Sequence, residues 1–234
     1  MQGKRSVLTP ATALIAAVIT AGAAAVAVRL PEVGRWSSTD VLSLAAMIAV
    51  TVLAERFALR FRFGVQTKTV TVTEASCAAA LILGIRPGAL TLGVAAGIAI
   101  AGAVGGTSPH KAVFNVGSWT ASVTAAELVF RAAHPAGAMV AVVPAMAAFF
   151  VLNAGTVVGV IALVEGRSFA SVFGPISRVE FVHAAGNTAA GIAVATVLSA
   201  SAATAPFAVL VGALCYGTYR RLAPRPAGSL LPVS

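Results

Sequence analysis

Seven carboxylic acids stand in the chain, and the sequence gives six of them an ordinary explanation. Glu32 and Asp40 fall between the first two apolar runs, and Glu55 opens the basic stretch ERFALRFRF. Glu127 precedes Arg131 by four residues, the favoured order for a helical ion pair. Glu165 stands beside Arg167, and Glu180 near Arg178. Glu74, within KTVTVTEASCAAALILG, has no basic residue within one helical turn along the sequence. Ionisable groups at membrane depth are costly and are kept where they are used. Desolvation disfavours the charged carboxylate, so Glu74 is expected to hold its proton near neutral pH. A neutral carboxyl in an apolar pocket either donates a hydrogen bond to a ligand or hands over its proton as a general acid.

Other polar residues recur at helical spacing. Glu180, His183 and Asn187 step by three and four, which puts them on one helix face. Lys111, Asn115, Ser118 and Ser122 form a second stripe with Trp119 alongside, and Phe149, Asn153 and Thr156 a third. Counted from the cytoplasmic helix ends, Glu74 lies roughly 8 Å deep, Asn115 and His183 about 6 Å, Trp119 and Asn187 about 12 Å, and Asn153 about 16 Å. Similar depth on four helices predicts a shared, cytoplasm-facing cavity; the plainer reading of each stripe is helix–helix contact. In such a cavity Glu74 could protonate a weakly basic alkene or epoxide. Trp119 and Phe149 would shelter the resulting cation with their π-faces. The expected catalytic residues are Glu74, His183 and Asn187. Asn115, Trp119, Phe149, Asn153 and Glu180 are expected to bind substrate.

Missing motifs narrow the chemistry. The chain holds one aspartate, so it has no aspartate-rich motif for ionising a prenyl diphosphate. HExxH, a Walker sequence and GxSxG do not occur, and the histidines at 110, 134 and 183 are widely scattered. No metal ligands and no cofactor are expected, and the chemistry would be acid–base work alone.

The elements that must position these groups are membrane-crossing helices. Of 234 residues, 59% are hydrophobic and 10% charged, far below the roughly one-quarter charged of soluble domains. Eight apolar segments are predicted as helices, at 10–28, 41–55, 69–85, 88–106, 112–131, 138–164, 179–203 and 205–219. They make a single all-α integral membrane domain of seven to eight spans over residues 1–234. The run from Met1 to Val28 is read as a retained first helix, not a cleaved signal. RPG joins the third and fourth segments in a tight hairpin, and Pro144 offers the sixth a bend. EGRSFASVFGPISR is expected to be an interfacial linker, with Phe169 and Phe173 at headgroup level. Gly93 and Gly97 form a GxxxG for close helix contact. Twelve lysines and arginines fall in loops on one side and four on the other, which puts both termini in the cytoplasm and the chain in the inner membrane. The net charge of +9 therefore reports topology, and nucleic acid is not an expected partner. Cys77 and Cys215 read as buried apolar residues.

Three stretches carry a family resemblance: LAERFALRFRFGVQTKTVTVTEASCAAALILGIRPGALTLGVAAG, KAVFNVGSWTASVTAAELVF and FFVLNAGTVVGVIALVEGRSFASVF. Over roughly residues 45–205 the chain resembles the multi-helix membrane domain that precedes GGDEF and HD-GYP output domains in bacterial signalling proteins. That resemblance implies a sensory role, whereas no output domain is read before Ser234. In size, multi-span architecture and lack of metal motifs the chain is also similar to small bacterial membrane terpene cyclases that act on prenylated indoles. That similarity implies a reaction begun by protonating a terminal alkene or epoxide of a farnesyl-type chain. The expected function is a metal-free membrane cyclase, acting on an amphiphilic prenylated small molecule within the lipid bilayer. The alternative is a sensor or binding module for a lipid-like molecule, and a transporter ranks third because no inverted repeat is seen.

Overall fold

Backbone groups in lipid must find partners within their own segment, and the apolar runs accordingly form helices. The computed structural model describes residues 9–63 and 66–201. Among them are seven α-helices: α1 (Pro10–Arg29), α2 (Ser38–Arg56), α3 (Thr73–Ile82), α4 (Pro87–Val104), α5 (Pro109–Ala133), α6 (Ala138–Glu165) and α7 (Phe169–Ala200). Local chemistry sets their ends. Thr9 caps α1 ahead of Pro10. Ser37 and Asp40 form a reciprocal capping box at α2. Gly166, at φ 64°, closes α6 in the left-handed conformation that glycine adopts without strain.

Helix α5 is the centre of the bundle, packed by α1, α4 and α6. Helix α2 leans on α4 from outside, and α7 packs on α3 and α6. The α2–α4 contact uses the GxxxG: a Cβ on Gly93 would lie 2.5 Å from Met47 Cβ, and one on Gly97 2.5 Å from Thr51 Cβ. Helices α1 and α5 touch backbone to backbone where Gly22 meets Gly117. The core joins Cys77, Leu90, Val94, Val123, Val142 and Phe149. Outward, Val28, Leu42, Val104 and Phe181 are between 68% and 73% exposed, the apolar surface that a lipid environment would cover.

Five stretches are long and apolar enough to cross a membrane: Pro10–Arg35, Ser38–Arg56, Pro87–Val104, Ala138–Glu165 and Glu180–Ala200. Helix α5 has the length, at 25 residues, but carries the polar groups that its neighbours enclose. Helix α3 has 10 residues and reaches about 15 Å, half of a bilayer's apolar core.

The third and seventh predicted segments need correction. Residues 69–70 belong to a strand, and the third helix starts only at Thr73. Strands β1 (Leu59–Phe63) and β2 (Gln66–Val70) form an antiparallel hairpin, with Leu59 opposite Val70 and Phe63 opposite Gln66. The alternation in LRFRF and the β-branched TKTV suit a two-residue repeat better than a helical one. Glu74 accordingly sits in the first turn of α3, not roughly 8 Å along a helix. The expected interfacial linker is itself helical: α7 begins at Phe169, where the Ser168 hydroxyl accepts a hydrogen bond from the Ser171 amide. Phe169 and Phe173, one turn apart, stack with ring centres 5.7 Å apart. Helix α6 runs through Pro144. The eighth segment, 205–219, both termini and Cys215 lie outside the described residues.

Candidate functional site

Helices α3 and α7 lie side by side because Gly191 admits α3 closely: a Cβ there would fall 2.5 Å from the Ala75 carbonyl oxygen. That approach brings the α7 stripe onto the first turn of α3. Asn187 Nδ2 donates to Glu74 Oε2 at 2.8 Å and to the Thr71 carbonyl oxygen at 2.8 Å. His183 Nε2 lies 2.9 Å from the same carbonyl and 3.7 Å from Glu74 Oε2. Asn187 is buried, while the His183 and Glu74 side chains are each 13% exposed, so the cluster lies mostly inside yet remains open to a small contact. Glu180 is buried one turn before His183 on the same helix. The side chain of Arg178, its expected partner, lies outside the described residues.

The structure thus brings Glu74, His183 and Asn187 together, and it corrects the expectation of an isolated acid. A carboxyl oriented by an amide donor, with an imidazole 3.7 Å away, has the parts of a proton-handling site. Glu55 supports it from below: its Oε1 accepts from the Thr73 hydroxyl at 3.1 Å, tying the end of α2 to the start of α3.

The remaining expected residues gather elsewhere. Ser118 of α5 donates to Asn153 Oδ1 of α6 at 3.2 Å and lies 2.8 Å from the Thr156 hydroxyl. Two predicted stripes therefore face each other, and each satisfies the other's polar groups, as buried polar atoms generally must. Trp119 and Phe149 meet edge to face, with centroids 5.3 Å apart. Both belong to the core that Cys77 enters, one turn beyond Glu74. Asn115 is half-buried one turn before Trp119. In place of one chamber common to all these groups, the structure has two hydrogen-bonded clusters with the aromatic pair in the intervening core. A separate apolar groove of about 580 Å³ runs between α1, α4 and α5, lined by Ile19, Val26, Ala103, Val113 and Gly117 among others. Glu74 and its partners do not line it.

One buried charge cluster escaped sequence reasoning. Glu127, 1% exposed, pairs with Arg29 of α1 and not with Arg131. Its second oxygen accepts from the Thr91 hydroxyl at 3.0 Å, and Arg29 also reaches Glu32 at 3.0 Å. The nearby Arg131 supplied so simple an explanation that the longer-range partner was hidden. The loops at this end are tied further by Arg86, which lies 3.4 Å from Asp40 and donates to the Arg35 carbonyl at 3.3 Å. The Thr71 carbonyl, the hub of the other end, is a main-chain group with no side-chain signature. Comparison of the chain with protein-family models, with curated proteins and with solved structures finds no match.

Proposed function

We propose that the chain is a metal-free membrane cyclase that protonates a prenyl chain of an amphiphilic small molecule. Glu74 is the proton donor, Asn187 orients it, and His183 takes part in returning the proton. The observation that supports this reading is the meeting of Asn187 and His183 of α7 at the Glu74 carboxyl of α3, beside the apolar core. Held by an amide donor and shielded from bulk water, a carboxylic acid can deliver its proton to a carbon base, and the Trp119–Phe149 pair can face the cation. In this reading the chain spans the cytoplasmic membrane several times, with the strongly basic loops inside.

Membranes carrying the chain, incubated with a farnesylated indole, are expected to form a cyclised isomer. Glu74→Gln should abolish it while protein levels hold. Equal turnover by the two would remove the proposal.

The apolar groove favours a second reading, a sensor or binding module that holds a lipid-like molecule unchanged. It fits the resemblance to membrane domains of signalling proteins. Here Ala103→Leu, which projects a larger side chain into the groove, should weaken binding of a farnesylated probe, and no product should form with any variant.

A further inference from the structure

Three acceptor positions crowd one amide nitrogen. Asn187 Nδ2 lies 2.8 Å from the Thr71 carbonyl oxygen, 2.8 Å from Glu74 Oε2 and 2.8 Å from His183 Nε2, yet it carries two hydrogens. The Thr71 oxygen is also 2.9 Å from His183 Nε2. If Nε2 were bare, its lone pair would face a carbonyl lone pair at that distance, and the amide would have to leave one of its three neighbours without a hydrogen. With a hydrogen on Nε2 three hydrogen bonds form: Nε2–H donates to Thr71, and the amide donates to Thr71 and to Glu74, whereas a bare Nε2 leaves only the two that the amide can give. The 2.8 Å approach of Nδ2 to Nε2 is then a contact between two donors that share the Thr71 oxygen. Reversing the amide would set its oxygen against the Thr71 oxygen at 2.8 Å, so the carbonyl fixes that orientation too.

We infer that Thr71 and Asn187 hold His183 as the tautomer with its hydrogen on Nε2, so that Nδ1 is the basic nitrogen of the site and the acceptor of the final proton. Among the described residues Nδ1 has no hydrogen-bond partner. Thr71 and Asn187 are positioning groups in this scheme. The tautomer stands on geometry alone, whereas the acceptor role rests on the cyclase reading. In the reaction, the Glu74 proton forms a C–H bond with the π pair of a terminal alkene, leaving a carboxylate and a carbocation. Ring closure spends a further π pair. Loss of a proton from carbon to Nδ1 then restores a double bond and leaves an imidazolium beside the carboxylate. Transfer of that proton back to Glu74 through water resets the site. Because Nε2 already bears a hydrogen, it cannot take the Glu74 proton directly across their 3.7 Å contact before the alkene does.

The chain has three histidines, and His110 and His134 are both exposed. The double variant His110→Gln/His134→Gln therefore leaves His183 as the sole imidazole. Solid-state NMR of this variant in lipid, with ¹⁵N-histidine and ¹³C-carbonyl threonine, is expected to show a protonated Nε2, a bare Nδ1 and a through-space contact from Nε2 to a threonine carbonyl. A bare Nε2, or both nitrogens protonated at neutral pH, would overturn the assignment. No substrate is needed, so this result is independent of turnover. In active membranes, His183→Gln should shift the product from alkene to alcohol as water captures the cation. An unchanged product ratio, or no turnover by the wild type, would remove the acceptor role while leaving the tautomer untouched.

Discussion

The amide of Asn187 gives a hydrogen to the carboxyl of Glu74 across 2.8 Å, although 113 residues separate them in the chain. Two helices that enter the bundle from the same end meet there, and Gly191 lets their backbones approach closely enough for the bond to form. The same amide also holds the Thr71 carbonyl, so one side chain anchors both the acid and the segment leading into α3.

Replacing Asn187 by leucine takes one donor from Glu74 and one from the Thr71 carbonyl, which keeps its contact with His183. Each lost hydrogen bond costs about 0.5–1.5 kcal/mol. Thermal unfolding in detergent should therefore show a clear loss of stability for Asn187→Leu, and Glu74→Gln, which keeps an acceptor oxygen, should lose less.

The Arg29–Glu127 pair is buried on both sides. Removing Arg29 strands the Glu127 charge, so Arg29→Met alone should destabilise by about 3–5 kcal/mol, and Glu127→Leu alone should cost less because Arg29 keeps Glu32 at 3.0 Å. The double variant should recover most of that loss, because an apolar pair of similar volume is often as stable as a buried ion pair. A double-mutant cycle measured by unfolding checks both statements, and additive losses would contradict them.

Glycines divide sharply by surroundings. A Cβ on Gly22 would overlap the Gly117 backbone, so Gly22→Val should push α1 off α5 and cost at least about 1–3 kcal/mol. Gly155, inside α6, has nothing within 4 Å of such a Cβ. Gly155→Ala should be neutral or stabilising by about 0.5–1 kcal/mol, since alanine restricts the unfolded chain and favours helix. Unfolding temperatures of the two variants should move in opposite directions or differ widely.

Exposed pairs should matter little by comparison. Arg167 and Glu165 lie 3.0 Å apart with side chains 49% and 33% exposed. Glu165→Gln should change stability by less than about 1 kcal/mol, and raised salt should shrink that difference further.

Much of the bundle was legible because two signals are local. Apolar length marks a helix that must satisfy its own backbone, and the spacing of Glu180, His183 and Asn187 marks one face of such a helix. The GxxxG of Gly93 and Gly97 likewise announced a close contact, although not that α2 would fill it. What escaped was either masked or non-local. In sequence the hairpin over 59–70 resembles a loop followed by the start of a helix, because apolar content outweighs the two-residue alternation of TKTV. The local spacing points Glu127 to Arg131, since no local pattern points to an arginine on a helix 98 residues away. The Thr71 carbonyl carries no sequence signal at all. The pairing of the Asn115–Ser118 stripe with Asn153, and not with Glu74, is decided by which helices touch, and adjacency between distant helices is not written in any one of them.

The central claim is that the Glu74 proton itself ends up on carbon. Membranes carrying the wild-type chain, given a farnesylated indole in deuterated water, should release a cyclised product one deuterium heavier, with the label at the carbon protonated first. Glu74→Gln should yield no labelled product. Substrate recovered unlabelled and unchanged from the wild type, or label incorporated equally by Glu74→Gln, would contradict the account.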